Sequence, residues 1–300
     1  MGKTVVAVTK DPEEARKQCL EYIEKTGMYA RIVVQVAKSG GENADDKEKG
    51  AKVYVVYGYD EPCRLDKYLP GMTHDGLRIL AGMYLRATKL RAAFDLMSRS
   101  PMAPKLVTDM LDTAREEKKD ILGIVKKAIA PHPLTQWCEN ISAGRGALGA
   151  AVAIVFLGYI DPHEATTAGK AKRYWGYCPG AKLRHGAKAS FNPWLKGFAY
   201  FTANRVLMGK DSYYYPLYEA KKAYYVAAGA KAPHMKALYW LAALLVSHAQ
   251  QILRTSEGYD VPRHRLHIEP KAYPDQEPPA DILEAIRRGA AAQMWGAGKP

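Results

Sequence analysis

Positive charge is confined to one third of the chain, and this limits both how that third can fold and what it can bind. The sequence of 300 residues has a formal net charge of +13, yet residues 165–268 alone hold sixteen Lys/Arg against four Asp/Glu. Such a segment predicts a surface of positive potential that attracts a polyanion and releases its counterions. Nucleic acid is the partner that this charge favours, and an acidic protein or a ribosome-like surface is the alternative.

Length and composition indicate a folded, cytoplasmic protein. A typical domain has about 100–200 residues, which predicts about two domains, and a hydrophobic fraction of 48% is ample for packed cores. The apolar runs 150–160 and 237–246 are shorter than the ~18 residues that span a bilayer, so they predict buried helices. The start of the chain does not resemble a signal peptide. Scarce Asn and Gln beside abundant Tyr and Ala are compatible with a thermophilic source.

The cysteines give no support for a metal site. No two are close enough for the CxxC spacing of zinc ligands, so the sequence predicts isolated reduced cysteines, no metal and no cofactor. The four are Cys19, Cys63, Cys138 and Cys178.

Residues 1–70 are expected to form a small α+β domain. The β-branched runs 4–8, 30–36 and 52–57 predict three strands, the last two as a hairpin. Asp11 and Pro12 predict the start of a helix between the first two strands.

Residues 71–130 predict a helical hairpin arm. Apolar positions at helical spacing begin at Leu77 and return from Leu106, and Pro101 and Pro104 separate the two runs. Two antiparallel helices of this size commonly serve as a dimerisation element, so a homodimer is expected.

Residues 131–270 predict a basic helical domain, and residues 271–300 a proline-rich tail with one helix. Within the basic domain the cluster Gly144, Gly146 and Gly149 precedes an apolar helix. A glycine-rich hairpin allows the tight turn and the close phosphate approach of a helix-hairpin-helix. The sequence as a whole predicts an α+β protein that is mainly α-helical.

Aromatic residues are interleaved with the cations between Lys170 and Lys196. Cations contact phosphates, and flat rings can stack on bases. The alternative is structural, and it is favoured for Trp175 and Trp194, which we expect in the core. The predicted nucleic-acid contacts are Arg145, Gly146, Gly149, Lys170, Lys172, Arg173, Lys182, Arg184, His185, Lys188, Lys196, Arg205, Lys221, Lys222, Arg263 and Arg265.

Residues 131–255 resemble the C-terminal part of a transposase family. The resemblance rests on the order and spacing of the runs 133–137, 144–149, 157–161, 168–177, 192–196, 215–222 and 234–237. The family comprises insertion-sequence transposases with a RuvC-like nuclease domain followed by a helix-hairpin-helix domain, and this chain is most similar to their short phage and archaeal relatives. The resemblance implies a helix-hairpin-helix fold and DNA or guide RNA as partner.

The chain departs from that family where the family has its chemistry. The family's hairpin sequence Gly-hydrophobic-Gly-Pro is Ala147-Leu148-Gly149-Ala150 here, and its nucleophilic serine is missing from the corresponding loop, 179–188. The N-terminal region lacks the carboxylates with which a RuvC-like nuclease holds two metal ions. Ser190 lies just beyond the loop and is either a displaced nucleophile or, as we favour, the N-cap of a helix over 192–207.

Two classes of function follow. The first is a non-catalytic, sequence-tolerant nucleic-acid-binding protein, with duplex DNA favoured over structured RNA. The second is an active transposase or recombinase subunit. Its candidate catalytic residues are Ser190, Tyr215 and Tyr218. The sequence favours the first, because dense tyrosines on short helices more often pack or contact phosphates than act as nucleophiles.

Overall fold

The computed structural model describes residues 3–26, 28–36, 52–62, 65–102, 104–141, 149–178, 189–261 and 268–289. The chain divides into two compact units, Met1–Leu77 and Arg78–Pro300. Helices make up most of the described chain, as the sequence predicts. Among the described residues, no helix is both long and apolar enough to cross a bilayer.

The first unit contains the predicted α+β elements. They are β1 (Lys3–Thr9), α1 (Pro12–Thr26), β2 (Met28–Val36) and β3 (Lys52–Pro62). A short helix, α2 (Leu65–Tyr68), follows. The Asp11 carboxylate accepts a hydrogen bond from the Glu13 backbone N–H at 2.9 Å, which satisfies one of the unpaired donors at the start of α1.

The sheet has the order β1-β3-β2, with both neighbours antiparallel to β3. The expected β2–β3 hairpin is therefore present, and β1 is parallel to β2 on the far side of β3. Ala15 and Cys19 of α1 pack on Val56 at the centre of β3. This small core holds the helix on one face of the sheet.

The predicted helical arm is formed by α3 (His74–Ser98) and α4 (Lys105–Ile129), and α4 begins directly after Pro104. Phe94 of α3 packs against Leu111 and Ala114 of α4. The chain therefore reverses between the two helices. Farther along, α4 packs against the next apolar helix, so the arm shares one unit with the helices that follow it.

The remaining helices are α5 (Pro133–Asn140), α6 (Gly149–Tyr159), α7 (Ala168–Tyr174), α8 (Pro193–Met208), α9 (Tyr214–Ala227), α10 (Pro233–Ser256) and α11 (Ala280–Arg287). The long, buried α10 lies at their centre and contacts α5, α6, α7, α8 and α9. Trp175 is fully buried and stacks on Phe156 at 5.1 Å between ring centroids, which confirms its predicted place in the core.

Two expectations for this region are wrong. The N-cap of α8 is Asn192, whose side-chain oxygen accepts from the Trp194 and Leu195 backbone N–H groups at 3.0 and 3.4 Å. Ser190 is not the cap because the helix begins three residues later, with Pro193 at its first position. Trp194 is not a core residue: its side chain is 49% exposed.

Candidate nucleic-acid interface

A group of exposed basic and aromatic side chains surrounds α7. Lys170 and Arg173 lie three residues apart on this helix, so they share one side of it, and both are exposed. Arg78 of α3 donates a hydrogen bond to the Tyr174 hydroxyl at 3.3 Å. These four residues are called the α7 face. In the described part of the chain, no ion pair joins Lys170 or Arg173 to a carboxylate.

The turn after α7 is fixed by close packing. Gly176 has a φ of +76°, and a Cβ at this position would lie 2.4 Å from a ring carbon of Phe191. The Asn192 N–H donates to the Tyr174 carbonyl at 3.1 Å. The start of α8 is thereby held against the end of α7.

Along α8, basic side chains lie over aromatic rings. The Arg205 guanidinium is 5.0 Å from the ring centre of Phe201, and Lys196 Nζ is 4.9 Å from that of Phe191. Lys89 of α3 lies 5.3 Å from the ring centre of Trp194. Rings hold such cations by their quadrupoles without neutralising them. The charges of Lys89 and Arg205 therefore remain available for an anion.

A cleft of about 760 Å³ opens between α3, α4, α6 and α8. It is called the arm cleft. Its basic lining residues are Arg91, Lys118 and Arg205, and no Asp or Glu of the described chain lines it. Its aromatic lining residues are Tyr84, Trp194, Phe198 and Phe201.

The charges in the arm cleft perturb one another. Burial lowers the pKa of Lys118, and the nearby positive charge of Arg91 lowers it further. Burial also raises the pKa of Tyr84, so this phenol stays protonated at neutral pH. Lys118 Nζ lies 5.4 Å from the ring centre of Tyr84. An anion in the cleft would offset the repulsion between the two cations.

Two predicted contact residues are buried, which corrects their assignment to the surface. Lys172 is 7% exposed and Lys221 is 2% exposed. Burial lowers the pKa of each ammonium to about 8. Lys221 Nζ lies 4.2 Å from the ring centre of Tyr224, so aromatic neighbours stabilise it in place of a phosphate.

The other predicted contacts in the described chain differ in their surroundings. Gly149 begins α6 with a φ of +38°, a conformation that favours glycine. Lys222 forms an ion pair with Glu219 at 3.5 Å. Eight predicted contacts lie outside the described residues: Arg145, Gly146, Lys182, Arg184, His185, Lys188, Arg263 and Arg265.

The three candidate catalytic residues are not brought together around one basic group. Ser190 is exposed before α8, whereas Tyr218 is buried on α9. A hydrogen bond of 2.5 Å joins the Tyr218 hydroxyl to Nδ1 of His234, and the Tyr215 ring lies 6.3 Å from that of Tyr218. Burial raises the pKa of Tyr218, which opposes formation of a phenolate nucleophile.

Sequence reasoning missed the contribution of the arm. Arg78, Lys89, Arg91 and Lys118 all come from α3 and α4. The arm is part of the nearly neutral remainder of the chain, so charge counting does not single it out. The sequence pattern that could have indicated these residues is local: Arg78, Lys89 and Arg91 lie among apolar residues on one helix.

Comparison with known proteins adds no relative from which a function can be transferred. No protein-family model, no curated protein and no solved structure matches this chain.

Proposed function

We propose that the protein is a non-catalytic, largely sequence-tolerant nucleic-acid-binding protein with duplex DNA as its main partner. The observation that carries the proposal is the α7 face, where exposed Lys170 and Arg173 have no carboxylate ion-pair partner in the described chain. Cations of this kind bind phosphates and release counterions without reading bases. The resemblance to a transposase helix-hairpin-helix domain supports the same class of partner.

The test is a titration of labelled duplex DNA at several salt concentrations. The double variant Lys170→Gln/Arg173→Gln should weaken binding and reduce the slope of log affinity against log salt by about 1.8, since each lost phosphate contact removes about 0.9. The matched control is Lys126→Gln/Lys127→Gln, which removes two exposed charges from the last turn of α4, outside the α7 face. Equal slopes for the wild type and the α7-face variant would reject this face as the binding surface.

The arm supports a homodimer within this proposal. Met83, Leu90 and Met97 are exposed on α3 at intervals of seven residues, so they form an apolar stripe along one side of the helix. We expect light scattering to give a dimer mass for the wild type and a monomer mass for Leu90→Glu. Ala92→Glu is the control, since Ala92 is exposed on the opposite side of the same helix. A monomeric wild type would exclude this arrangement.

A further inference from the structure

The arm cleft has a size and chemistry that duplex binding does not explain. Its volume of about 760 Å³ falls in the range of small-molecule sites, about 300–1,000 Å³. A duplex about 20 Å wide, its major groove alone being ~12 Å, cannot enter such a space. Whatever the cleft binds is therefore a small molecule or a single unit of a larger one.

The rings of the cleft include two that remain accessible. Trp194 is 49% exposed and Phe201 is 52% exposed, although folded proteins usually cover such large apolar side chains. Both lie on α8 seven residues apart, so they face the same side of the helix. Exposed rings of this kind stack on planar partners, and every nucleobase has a planar face.

The positive charges that line the cleft favour a ligand with more than one negative charge. Arg91, Lys118 and Arg205 line it together without a described carboxylate. The Nε atom of Arg91 is buried and has no hydrogen-bond acceptor among the described residues. A buried donor without an acceptor is costly, and a guanidinium matches the geometry of phosphate oxygens. A phosphate supplies both the acceptors and up to two negative charges.

We propose that the arm cleft binds a single nucleotide, with its base against Trp194 and Phe201 and its phosphate on Arg91, Lys118 and Arg205. The same chemistry is offered by a free nucleoside 5′-monophosphate and by an unpaired nucleotide at the end of a strand. The strand as source rests on the proposed function, whereas binding of a free nucleotide does not.

The first experiment is calorimetric titration of the full chain with adenosine 5′-monophosphate, adenosine and inorganic phosphate. The nucleotide should bind at least about tenfold more tightly than either half, since stacking and charge both contribute. Trp194→Ala should weaken nucleotide binding by about five- to hundredfold, and Arg91→Gln should weaken it while leaving adenosine binding unchanged. Lys126→Gln should change neither.

The second experiment compares a blunt duplex with the same duplex carrying a short single-stranded overhang. A preference for the overhang that Trp194→Ala abolishes supports the strand as source, and nucleotide binding without that preference supports the free nucleotide. The proposal is overturned if adenosine 5′-monophosphate binds no more tightly than adenosine or phosphate and the overhang duplex binds no more tightly than the blunt one. It is also overturned if nucleotide binding is unchanged in both Trp194→Ala and Arg91→Gln. Trp194 is half-exposed, so Trp194→Ala should keep the wild-type circular dichroism spectrum and melting temperature.

The two proposals fail separately. If the α7 face does not bind duplex DNA, the Lys170→Gln/Arg173→Gln variant loses no affinity, yet the nucleotide titration can still succeed. If the arm cleft binds no nucleotide, blunt-duplex binding and its salt slope remain as expected for the α7 face.

Discussion

The core around α9 and α10 and the arm cleft both hold basic side chains, but the surroundings of these side chains differ. In the core, Lys221 lies among aromatic rings, and Lys271 forms a buried ion pair of 3.0 Å with Asp211. In the cleft, Arg91 and Lys118 lie side by side without a described carboxylate. The positive charge of the sequence is therefore of two kinds: one part is enclosed in the fold by rings or a carboxylate, and the other is left for a partner.

The largest effect is expected for Asp211→Ala, which removes the carboxylate partner of an enclosed lysine. The Asp211 carboxylate accepts from the Tyr213 and Tyr214 N–H groups, each at 2.9 Å, and from Lys271. Its loss leaves a buried ammonium without a counter-ion, and we expect about 3–5 kcal/mol less stability in urea unfolding. Asp112→Ala removes an exposed pair with Arg115 and should cost at most about 1 kcal/mol. Similar losses for the two variants would contradict the distinction.

A second test concerns the turn that holds the α7 face. Gly176→Ala places a methyl group against Phe191 at a φ of +76°, so strain and overpacking add, and we expect a loss of about 3 kcal/mol. Gly229→Ala is the matched control, since it has a φ of +65° and no heavy atom within 4 Å of the added Cβ. Its cost should be about 1 kcal/mol. Thermal unfolding of both variants measures the difference, and equal costs would show that the Phe191 contact contributes nothing.

Lys221 tests whether a cation inside the core is a cost at neutral pH. Its pKa is lowered to about 8 by burial, below the ordinary value of 10.5. The unfolded chain therefore binds more protons between these two values, and wild-type stability should rise with pH across that window. Lys221→Met should remove this rise, so its stability relative to wild type should be more favourable near pH 7 than near pH 10 by about 2 kcal/mol. Parallel pH profiles would show that the aromatic rings offset the burial completely.

The smallest effect is expected for Tyr218→Phe. The variant loses the hydrogen bond to His234, at a cost of about 1 kcal/mol in stability. Duplex affinity should stay within about twofold, because Tyr218 is buried and does not belong to the α7 face. A denaturing gel should show neither nicked supercoiled DNA nor a covalent adduct with the wild type. An adduct that Tyr218→Phe abolishes would instead favour the recombinase alternative.

The sequence predicts the elements better than it predicts the fate of individual side chains. Strand runs, the Asp11 cap and the proline break at Pro104 act locally, so α1 and the arm could be predicted from the residues themselves. Lys221 and Lys222 are neighbours in the sequence, but adjacent helix positions point about 100° apart. One therefore enters the core and the other pairs with Glu219 at the surface.

The arm cleft could not be predicted for a related reason. Its lining comes from helices spread over residues 74–208, and the cations of the arm belong to the part of the chain outside residues 165–268, whose net charge is only +1. Trp175 and Trp194 show the same limit, since both lie in the stretch between Lys170 and Lys196 where basic and aromatic residues alternate. Only the packing of α6, α8 and α10 decides that Trp175 is covered and Trp194 is not.

The strand order of the first unit has a consequence during synthesis. β3 is the central strand, and Lys3 pairs with Tyr59 across it. A growing chain that has not yet reached Lys52 holds β1 and β2 without the strand that joins them, so both present unpaired backbone edges. We expect the sheet to form only once the whole of β3 has left the ribosome. Chains truncated before residue 62 should therefore aggregate or be degraded.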